Sequence, residues 1–372
     1  MKIPFFDWPG LYAEKEENFS EIIGKVLSRG GFILQKDVSD FENNLAEYVG
    51  AKYAVALSDG TNAILLGLRA SNLKPGDEIL ITSHSFIAAA QSIYHAGFKP
   101  IPVELSLDDW LMDPNALEPY LTDRTKAIMP VHVNGRVCQM DKIMEFANKH
   151  SLYVFEDAAQ AMGAKFNGIC AGNFGLWGTY SFYPSKTLGS FGDAGALVTN
   201  SKEVYEIVKS MRNHGADDSK RIPLNIDHWG TNCRMDNVQA AILNFKLGYY
   251  DDAIKRRREI ADAYHQCLSG IDGVFLPPAP TTASKNFDIY QNFEFCTDRR
   301  DALRDFLSNN GVGTIVQWGG FALHHLENLV EPASLPITDK FFETSILLPL
   351  NHIMTDEEVG YVCSLLKQFY ED

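Results

Sequence analysis

Between about residue 50 and residue 200 the chain alternates short apolar segments with segments of helical periodicity. The segments "KYAVALS" (52–58) and "DEILITS" (77–83) are typical of buried strands, and "TNAILLGLRAS" (61–71) between them is typical of a helix. Strands that are apolar along nearly their whole length belong to parallel sheets with both faces covered. The alternation therefore predicts an α/β fold in which helices flank a mostly parallel central sheet.

The same alternation continues to residue 200. An apolar helix is expected over residues 86–97. The further strand candidates are "FKPIPVEL" (98–105), "TKAIMPVHV" (125–133), "LYVFEDA" (152–158), "GTYSFYP" (178–184) and "GALVTN" (195–200).

The pattern becomes more helical after residue 200. Residues 235–268 are expected to form one long helix or two joined ones. From about residue 270, strands such as "DIYQNFEF" (288–295) alternate with helices such as "RRDALRDFLSNNG" (299–311). We therefore expect a large domain over residues 1–250 and a smaller C-terminal α+β domain over residues 251–372.

Length and charge limit the function classes. A chain of 372 residues is too long for one simple core, which also favours two domains. The net charge of −15 argues against nucleic acid or an anionic membrane as the main partner. No segment approaches the roughly 18 consecutive apolar residues of a membrane helix. The start, "MKIPFFDWPG", lacks the pattern of a signal peptide, so we expect a cytoplasmic protein.

Cysteine and histidine spacing predicts neither a metal site nor a disulfide framework. The six cysteines (138, 170, 233, 267, 296 and 363) include no C-x-x-C pair, and we expect reduced thiols. His324 and His325 are adjacent, so on a regular helix or strand they would point to different faces. No metal is expected.

The segment "LSDGTNAILLGL" (57–68) combines a strand end, a glycine turn and a helix start. Free N–H groups at Gly60, Thr61 and Asn62 would suit a phosphate, because a helix N-terminus attracts anions. An ordinary capped turn has the same pattern, and Asp59 would repel an anion unless it points away.

The segment "LYVFEDAAQAMGA" (152–164) ends a strand with two acids, where open α/β sheets bind ligands. Asp157 is either the N-cap of a following helix or a buried carboxylate with a cationic partner. Gln160, three positions on, could reach the same ligand.

The segment "SFYPSKTLGSFGDAGA" (181–196) places Lys186 among aromatic and glycine residues. Most lysines are solvated, but burial here would lower the pKa and make the amine a nucleophile. A lysine, a carboxylate and a phosphate-binding helix start together indicate a pyridoxal phosphate site. The lysine would form a Schiff base with the cofactor's aldehyde, and the carboxylate would keep the ring nitrogen protonated.

Six stretches carry a resemblance to a known family: "PGDEILITSHSFIAAA" (75–90), "TKAIMPVHVNG" (125–135), "EDAAQAMGA" (156–164), "SFYPSKTLGSFGDAGALVT" (181–199), "MRNHG" (211–215) and "TNCRMDNVQAAIL" (231–243). With them, the sequence resembles the DegT/DnrJ/EryC1/StrS family of sugar aminotransferases almost from end to end. The resemblance implies the type I fold of pyridoxal-phosphate aminotransferases.

By this resemblance, Lys186 is the Schiff-base lysine and the proton carrier. Asp157 pairs with the pyridine nitrogen, Gln160 lies beside the ring's phenolic oxygen, and Phe86 stacks on the ring. Without the family, Phe86 would be interpreted as a core residue. Family members that dehydrate sugars carry histidine in place of the lysine, so Lys186 excludes that branch.

The resemblance also implies phosphate contacts from Gly60, Thr61 and Ser181. Asn232 matches an asparagine that reaches the phosphate from the neighbouring subunit, which implies a homodimer with shared active sites. Where the family has an H-Y-P-like segment, this chain has "VQWGGFALHH" (316–325). His324 in that segment is either a substrate contact or a polar surface histidine. Asp59 replaces the commoner serine of the glycine turn.

The implied reaction is transfer of an amino group from L-glutamate to a 3- or 4-keto-6-deoxyhexose on dTDP, UDP or GDP, which yields an amino sugar. Three alternatives remain. The acceptor could be a keto-inositol or an aminohydroxybenzoate precursor. The chain could be a non-catalytic regulator that binds pyridoxal phosphate, or a scaffold that has lost the cofactor. The sequence does not choose the nucleotide, the sugar position or the stereochemistry.

Overall fold

The computed structural model describes residues 1–216, 226, 228–281 and 284–371. Its strands are β1 (Tyr53–Leu57), β2 (Glu78–Thr82), β3 (Lys99–Val103), β4 (Thr125–Met129), β5 (Tyr153–Asp157), β6 (Lys165–Phe166), β7 (Ile169–Cys170), β8 (Trp177–Ser181), β9 (Gly195–Thr199), β10 (Val274–Phe275), β11 (Asn286–Phe287), β12 (Phe293–Thr297) and β13 (Ser345–Leu348).

The α-helices of the same residues are α1 (Trp8–Ala13), α2 (Glu16–Arg29), α3 (Lys36–Val49), α4 (Gly60–Arg69), α5 (Ile87–His95), α6 (Met140–His150), α7 (Lys202–Met211), α8 (Asn237–Leu247), α9 (Tyr250–Leu268), α10 (Arg300–Asn309), α11 (Pro336–Thr344) and α12 (Asp356–Glu371). None of the described helices combines the length and apolar character needed to cross a membrane.

Seven strands form the central sheet in the order β1-β9-β8-β5-β4-β2-β3. Neighbouring pairs from β8 to β3 are parallel, whereas β9 runs antiparallel to both β8 and β1. Six of the seven strands therefore point the same way. The mostly parallel sheet expected from the sequence is confirmed.

Helices cover this sheet, and close packing sets the position of α4. Gly67 of α4 lies against the sheet so tightly that a Cβ atom there would lie 2.8 Å from Leu197 Cδ1 and 2.9 Å from Trp177 Cε2. Trp177 is fully buried and stacks on Phe155 at a centroid distance of 4.6 Å. Because burial of each large apolar side chain stabilises the fold by about 1.5–3 kcal/mol, this contact holds α4 against the sheet.

A second, three-stranded sheet has the order β10-β12-β13. It packs with α9, α10 and α12 around a separate core that includes Phe293, Phe295 and Leu366. The N-terminal segment joins this core, since Ile3 pairs with Val312 and is 2% exposed. The division into domains at residue 250 stays a prediction.

One of the two alternatives for residues 235–268 is confirmed, and one expected strand begins later than predicted. The pattern over 235–268 forms two helices, α8 and α9, which end and begin on either side of residues 248–249. Only the last three residues of "DIYQNFEF" are strand, because β12 begins at Phe293. Residues 288–292 instead hold Gln291, whose side chain bonds the loop that carries Lys186.

Candidate active site

Four parallel strands bring the predicted site residues to one edge of the central sheet. Gly60 follows β1, Phe86 follows β2, Asp157 ends β5 and Ser181 ends β8. These strands point the same way, so their carboxyl ends lie at the same edge, where open α/β sheets bind ligands. Lys186 follows Ser181 by five residues.

The loop that carries Lys186 is tightly folded. The Lys186 backbone N–H donates to Tyr183 O at 2.8 Å, and Ser190 N–H returns to Phe182 O at 2.8 Å. Gly189 permits this fold, because a Cβ atom there would lie 2.5 Å from Pro184 O. The loop presents a partly buried Lys186 side chain whose Nζ makes no hydrogen bond or ion pair with any described residue.

Burial lowers the pKa of Lys186 to about 8, and the negative charge of Asp157 opposes that lowering. A lysine that titrates near 8 has a neutral, nucleophilic fraction at physiological pH far larger than an ordinary lysine has. This is the property that the sequence predicted for the segment.

The lowered pKa makes a prediction about stability without cofactor. In the unfolded chain Lys186 titrates at its ordinary pKa of 10.5 and in the fold at about 8. Between these two pKa values the unfolded chain binds more protons than the folded chain, so the free energy of unfolding rises with pH. Below pH 8 the buried lysine is protonated and its destabilisation of the fold is fully present. Apo Lys186→Met is expected to be more stable than apo wild type at pH 7 by about 1–3 kcal/mol, allowing for solvent screening.

Urea unfolding of both apo proteins at several pH values measures this difference. The difference in free energy of unfolding between the two proteins should disappear as the pH rises from 8 to 10.5, because the wild-type lysine then becomes neutral in both the folded and the unfolded state. A wild type that is the more stable protein at pH 7 would contradict the lowered pKa.

Asp157 is 7% exposed. Its backbone is held by His132 N–H and Pro130 O, and Oδ1 accepts a hydrogen bond from Ala159 N–H at 3.0 Å. Burial raises the pKa of Asp157, while the Ala159 N–H and the charges of Lys186 and His132 lower it. No α-helix begins in the described residues 158–164, so the N-cap alternative is wrong. Oδ2 makes no hydrogen bond with a described residue and is available to a ligand.

Glu156, the neighbouring acid, has a different environment. Its side chain is fully buried and accepts hydrogen bonds from Gly172, Phe174 and Gly175 N–H at 2.7–2.8 Å and from His132 Nε2 at 3.0 Å. Successive side chains on a strand point to opposite faces. Glu156 therefore stabilises the loop of residues 172–175 on one face of the sheet, while Asp157 faces the site on the other.

Gln160 lies in the turn after β5. Its Oε1 accepts a hydrogen bond from Asn134 N–H at 2.7 Å, and its Nε2 has no partner among residues described here. The amide is thus held by one end, and its donor end can reach a ligand oxygen.

The start of α4 adjoins Ser181. A Cβ atom at Gly60 would lie 3.0 Å from Ser181 Cβ, so only glycine allows this approach without displacement. The N–H groups of Gly60 and Thr61 donate no hydrogen bond within the described chain. Asn62 was wrongly expected to have a free N–H, because that group donates to Asp59 Oδ1 at 2.8 Å.

The Asp59 carboxylate is held by hydrogen bonds to its neighbours at the start of α4. Its Oδ2 accepts hydrogen bonds from Ser58 Oγ at 2.8 Å and Asn62 Nδ2 at 2.7 Å. These bonds hold the carboxylate as the N-cap and leave the first two N–H groups of the helix for an anion.

Phe86 is 55% exposed although it follows a buried strand. Its ring lies 6.5 Å from Trp318, measured between centroids. The core alternative for Phe86 is therefore wrong. An exposed ring at this edge can stack on a planar ligand.

Asn232 is exposed, and its Oδ1 accepts a hydrogen bond from Arg234 Nε at 2.9 Å. Next to it, Cys233 O accepts a bond from Ser58 N–H at 2.9 Å. The segment thus lies beside the loop that precedes α4. The role of Asn232 across a dimer stays a prediction.

His324 is 6% exposed, so the surface alternative is wrong. Its Nδ1 lies 2.8 Å from Ser83 Oγ, and its Nε2 lies 2.9 Å from Asp339 Oδ1. His325 Nε2 reaches the same oxygen at 2.7 Å. The two adjacent histidines therefore converge rather than diverge, because they lie in a short 3-10 turn (Leu323–His325).

These three side chains bring potential metal ligands within 4.8 Å of one another. However, His325 Nδ1 accepts the Ala322 N–H at 3.2 Å, so the ring proton is on Nε2, where it donates to Asp339. Hydrogen bonds alone account for the cluster.

Sequence reasoning missed Gln291, which is 5% exposed. Its Oε1 accepts from Thr187 N–H at 2.7 Å and from Thr187 Oγ1 at 2.9 Å, and its Nε2 donates to Ser185 O at 2.9 Å. The amide thus clamps the residues on both sides of Lys186. No local pattern signals this contact, since the partners lie over 100 residues apart.

The residues fit pyridoxal phosphate in chemistry. One sheet edge carries a lysine amine, a carboxylate oxygen and two N–H groups at a helix start that have no partner among the described residues, together with an exposed aromatic ring. The glycine at position 60 leaves room there that a Cβ atom would fill.

Known proteins resemble this chain over its whole length. The chain is 36% identical to the dTDP-3-amino-3,4,6-trideoxy-alpha-D-glucose transaminase of Streptomyces venezuelae, over 100% of this chain and 97% of that protein. It is 33% identical to a pleiotropic regulatory protein of Geobacillus stearothermophilus, over 100% and 99%. The fold matches the crystal structure of S. venezuelae DesV with a TM-score of 0.94 and 33% identity, over 100% and 99% of the two chains.

The family assignment rests on nearly the whole chain. The sequence profile of the DegT/DnrJ/EryC1/StrS aminotransferase family matches residues 13–367, which include every predicted site residue. The similarity in fold to solved aminotransferases agrees with the type I expectation. The chain belongs to the DegT/DnrJ/EryC1/StrS aminotransferase family.

Proposed function

We propose that this chain transfers an amino group from L-glutamate to a 3- or 4-keto-6-deoxy sugar carried on a nucleotide, with pyridoxal 5′-phosphate as cofactor. The single observation that carries the proposal is the buried Lys186 amine, which no described residue pairs with, near the buried Asp157 carboxylate. Membership of an aminotransferase family supports the cofactor, and the similarity to a dTDP-sugar transaminase supports the sugar nucleotide.

Each residue has a proposed role in holding the cofactor or moving a proton. Lys186 binds the cofactor's aldehyde, and Asp157 holds a proton on the ring nitrogen. Gln160 donates its Nε2–H to the ring oxygen, and Phe86 stacks on the ring. When bound, pyridoxal phosphate supplies an aldehyde that condenses with amines and a ring that withdraws electrons.

The phosphate is proposed to bind at the start of α4, where Gly60 and Thr61 donate their N–H groups and Ser181 donates its hydroxyl. Asn232 of a second subunit is proposed to complete this site, which makes the protein a homodimer. The exposure of Asn232 is compatible with that role.

Lys186 is also the proposed proton carrier. Once the donor's amine has displaced it from the cofactor, Nζ would accept the proton that leaves Cα of the amino donor and would give that proton to the carbon that had carried the cofactor's aldehyde. A pKa of about 8 suits both steps, because the amine is then able to gain and lose a proton near neutral pH. When the keto sugar accepts the amino group, the same atom moves protons in the reverse order.

Two acceptor alternatives lack a nucleotide: a keto-inositol and an aminohydroxybenzoate precursor. A separate candidate is a cofactor-binding regulator without turnover, which the similarity to a pleiotropic regulatory protein favours. The complete set of Lys186, Asp157 and Gln160 supports the enzyme, since a regulator has no need of a proton carrier. The cytoplasmic location stays a prediction.

A panel of acceptors tests the proposal. The holoenzyme is incubated with L-glutamate and with 3-keto or 4-keto 6-deoxyhexoses on dTDP, UDP and GDP, and the amino sugar and 2-oxoglutarate are measured by mass spectrometry. Equimolar formation of both products with one sugar nucleotide is expected. Turnover only with nucleotide-free ketones would contradict the acceptor, and no turnover with any ketone would favour the regulator.

Gln291→Leu is expected to lower turnover by about 10-fold to 100-fold. The reason is that the reaction rate falls when a catalytic group is displaced by even 1 Å, and Gln291 holds the loop that carries Lys186. Leucine keeps the volume but removes all three hydrogen bonds to residues 185 and 187. Gln291→Glu keeps the bonds from Thr187 and should retain more activity. The absorption maximum of the bound cofactor should shift in Gln291→Leu. Unchanged turnover and spectrum would show that the clamp is structural only.

A further inference from the structure

Two cysteines of the second core lie on helices that pack against each other. Cys267 is in α9 and Cys363 is in α12, and both are free thiols with partly buried side chains. Cys267 Sγ donates a hydrogen bond to Tyr264 O at 3.3 Å. Cys363 Sγ donates one to Ala263 O at 3.8 Å. Since residues 263 and 264 are consecutive in α9, the two sulfur atoms lie over neighbouring carbonyls of one helical turn.

The two thiols also interact with each other, with opposite effects on their acidity. A hydrogen bond between them raises the pKa of Cys267 and lowers the pKa of Cys363. The positive charge of Lys367, one turn further along α12, also lowers the pKa of Cys363, whereas burial raises it. The thiolate is the reactive form of cysteine, so Cys363 is the nucleophile of the pair and Cys267 is the thiol beside it.

The other four cysteines have the opposite environment. Burial raises the pKa of each of them and shields it from solvent; they are Cys138, Cys170, Cys233 and Cys296. Buried thiols in apolar surroundings are inert, whereas an accessible thiol with a lowered pKa is susceptible to oxidation. All six cysteines are among the described residues, so the pair on α9 and α12 is the chemically distinct one.

We propose that Cys267 and Cys363 are a modification site, at which a peroxide oxidises the two thiols to a disulfide between α9 and α12. The Cys363 thiolate attacks one oxygen of hydrogen peroxide, the O–O bond breaks, and the released hydroxide takes up the thiol's proton to give water. The sulfur of Cys267 then attacks the sulfenic acid on Cys363, and the hydroxyl leaves as water with the second thiol proton. The two thiols lose two electrons in total, and one peroxide is reduced to two waters.

The site goes beyond the proposed function and does not rest on it, because both sulfur atoms belong to the second core and not to the sheet edge that carries Lys186. Exchange with two molecules of a small thiol, which become one disulfide, returns both cysteines to the reduced state. The oxidised form closes residues 267–363 into a loop. Such a loop restricts the unfolded chain and so stabilises the fold.

Peroxide treatment of the purified full chain tests the pair. Reduced protein, freed of reductant, is exposed to one equivalent of hydrogen peroxide, remaining thiols are alkylated in denaturant, and the unreduced digest is analysed by mass spectrometry. We expect a cross-linked peptide pair that joins residues 267 and 363 and is lighter by two hydrogen atoms than the separate thiol peptides. The peptides of the four buried cysteines should carry the alkyl label and are the internal control.

Single serine variants identify the order of the steps. Cys267→Ser is expected to leave a sulfenic acid on Cys363, which dimedone traps, whereas Cys363→Ser is expected to keep Cys267 as a thiol. Full alkylation of both cysteines in peroxide-treated wild type would overturn the proposal, as would a covalent dimer on a non-reducing gel or a disulfide to any other cysteine. An equal yield of the dimedone adduct in wild type and Cys267→Ser would also overturn it, because Cys267 would then not react with the sulfenic acid.

Urea unfolding of the oxidised protein is the second measurement. Oxidised wild type should unfold at a higher urea concentration than reduced wild type, and added reductant should abolish the shift. Cys267→Ser treated in the same way should show no shift. A lower midpoint for the oxidised protein would show that the packed helices do not accept the bond and would overturn the site. None of these measurements depends on the cofactor or on a substrate, so their failure would leave the proposed function standing.

Discussion

Lys186→Met is expected to lower the rate of amino transfer by about 10³-fold or more, because a positioned acid–base group contributes 10²- to 10⁴-fold and this residue also binds the cofactor. Its Nζ lies at the sheet edge without a partner in the part of the chain that the structure describes, and methionine keeps the length of the side chain without a proton to exchange. The rate is measured with the acceptor that the panel identifies, at saturating L-glutamate and cofactor.

The folding of this variant has its own control. Apo Lys186→Met is expected to be at least as stable as wild type at pH 7, so a loss of activity cannot be assigned to unfolding. Borohydride reduction should attach the cofactor covalently to the peptide that contains residue 186 in wild type but not in Lys186→Met. Lys255→Met, which removes an exposed lysine of α9, is the control and should behave like wild type. Activity of Lys186→Met within 10-fold of wild type would refute the role of Lys186.

Asp157→Asn is expected to lower turnover by about 10²- to 10³-fold, as does loss of other preorganised electrostatic contacts to a reacting group. Asparagine has the same shape and can still accept the Ala159 N–H, but it carries no charge to hold a proton on the ring nitrogen. Cofactor binding should weaken while the fold persists. Turnover at saturating cofactor and the dissociation constant of the cofactor measure the two effects.

Glu156→Gln is the matched control, because it removes the adjacent carboxylate. This change leaves N–H groups of Gly172, Phe174 and Gly175 without full partners, so the free energy of unfolding should fall by about 2 kcal/mol or more. Turnover per bound cofactor should stay within about 5-fold of wild type, because Glu156 faces away from the site. Equal catalytic loss in both variants would contradict the assignment of Asp157.

The central sheet and the ends of its strands could be predicted well from the sequence. Buried parallel strands appear in a sequence as continuous apolar segments, and Gly60, Asp157 and Lys186 each lie at the end of such a strand or within five residues of it. The antiparallel direction of β9 was not predicted. It follows from the connection between Ser181 and Gly195, which contains no helix and so makes no parallel crossover.

The sequence could not predict contacts between distant segments. The clamp of Gln291 on Thr187 and the burial of His324 beneath Asp339 depend on how the second core packs on the first. None of these residues has a spacing or neighbour pattern that marks it. Asp157 shows the converse, because its local pattern left a helix cap and a buried carboxylate as alternatives, and the structure has a buried carboxylate followed by a turn.

The absorption spectrum of the purified protein with pyridoxal phosphate, before and after addition of L-glutamate without acceptor, shows whether Lys186 binds the cofactor and whether glutamate aminates it. We expect a near-ultraviolet to visible band of bound cofactor that changes to the pyridoxamine form with glutamate and is missing in Lys186→Met. A protein that gives no cofactor band, or a band that Lys186→Met retains unchanged, would contradict that expectation.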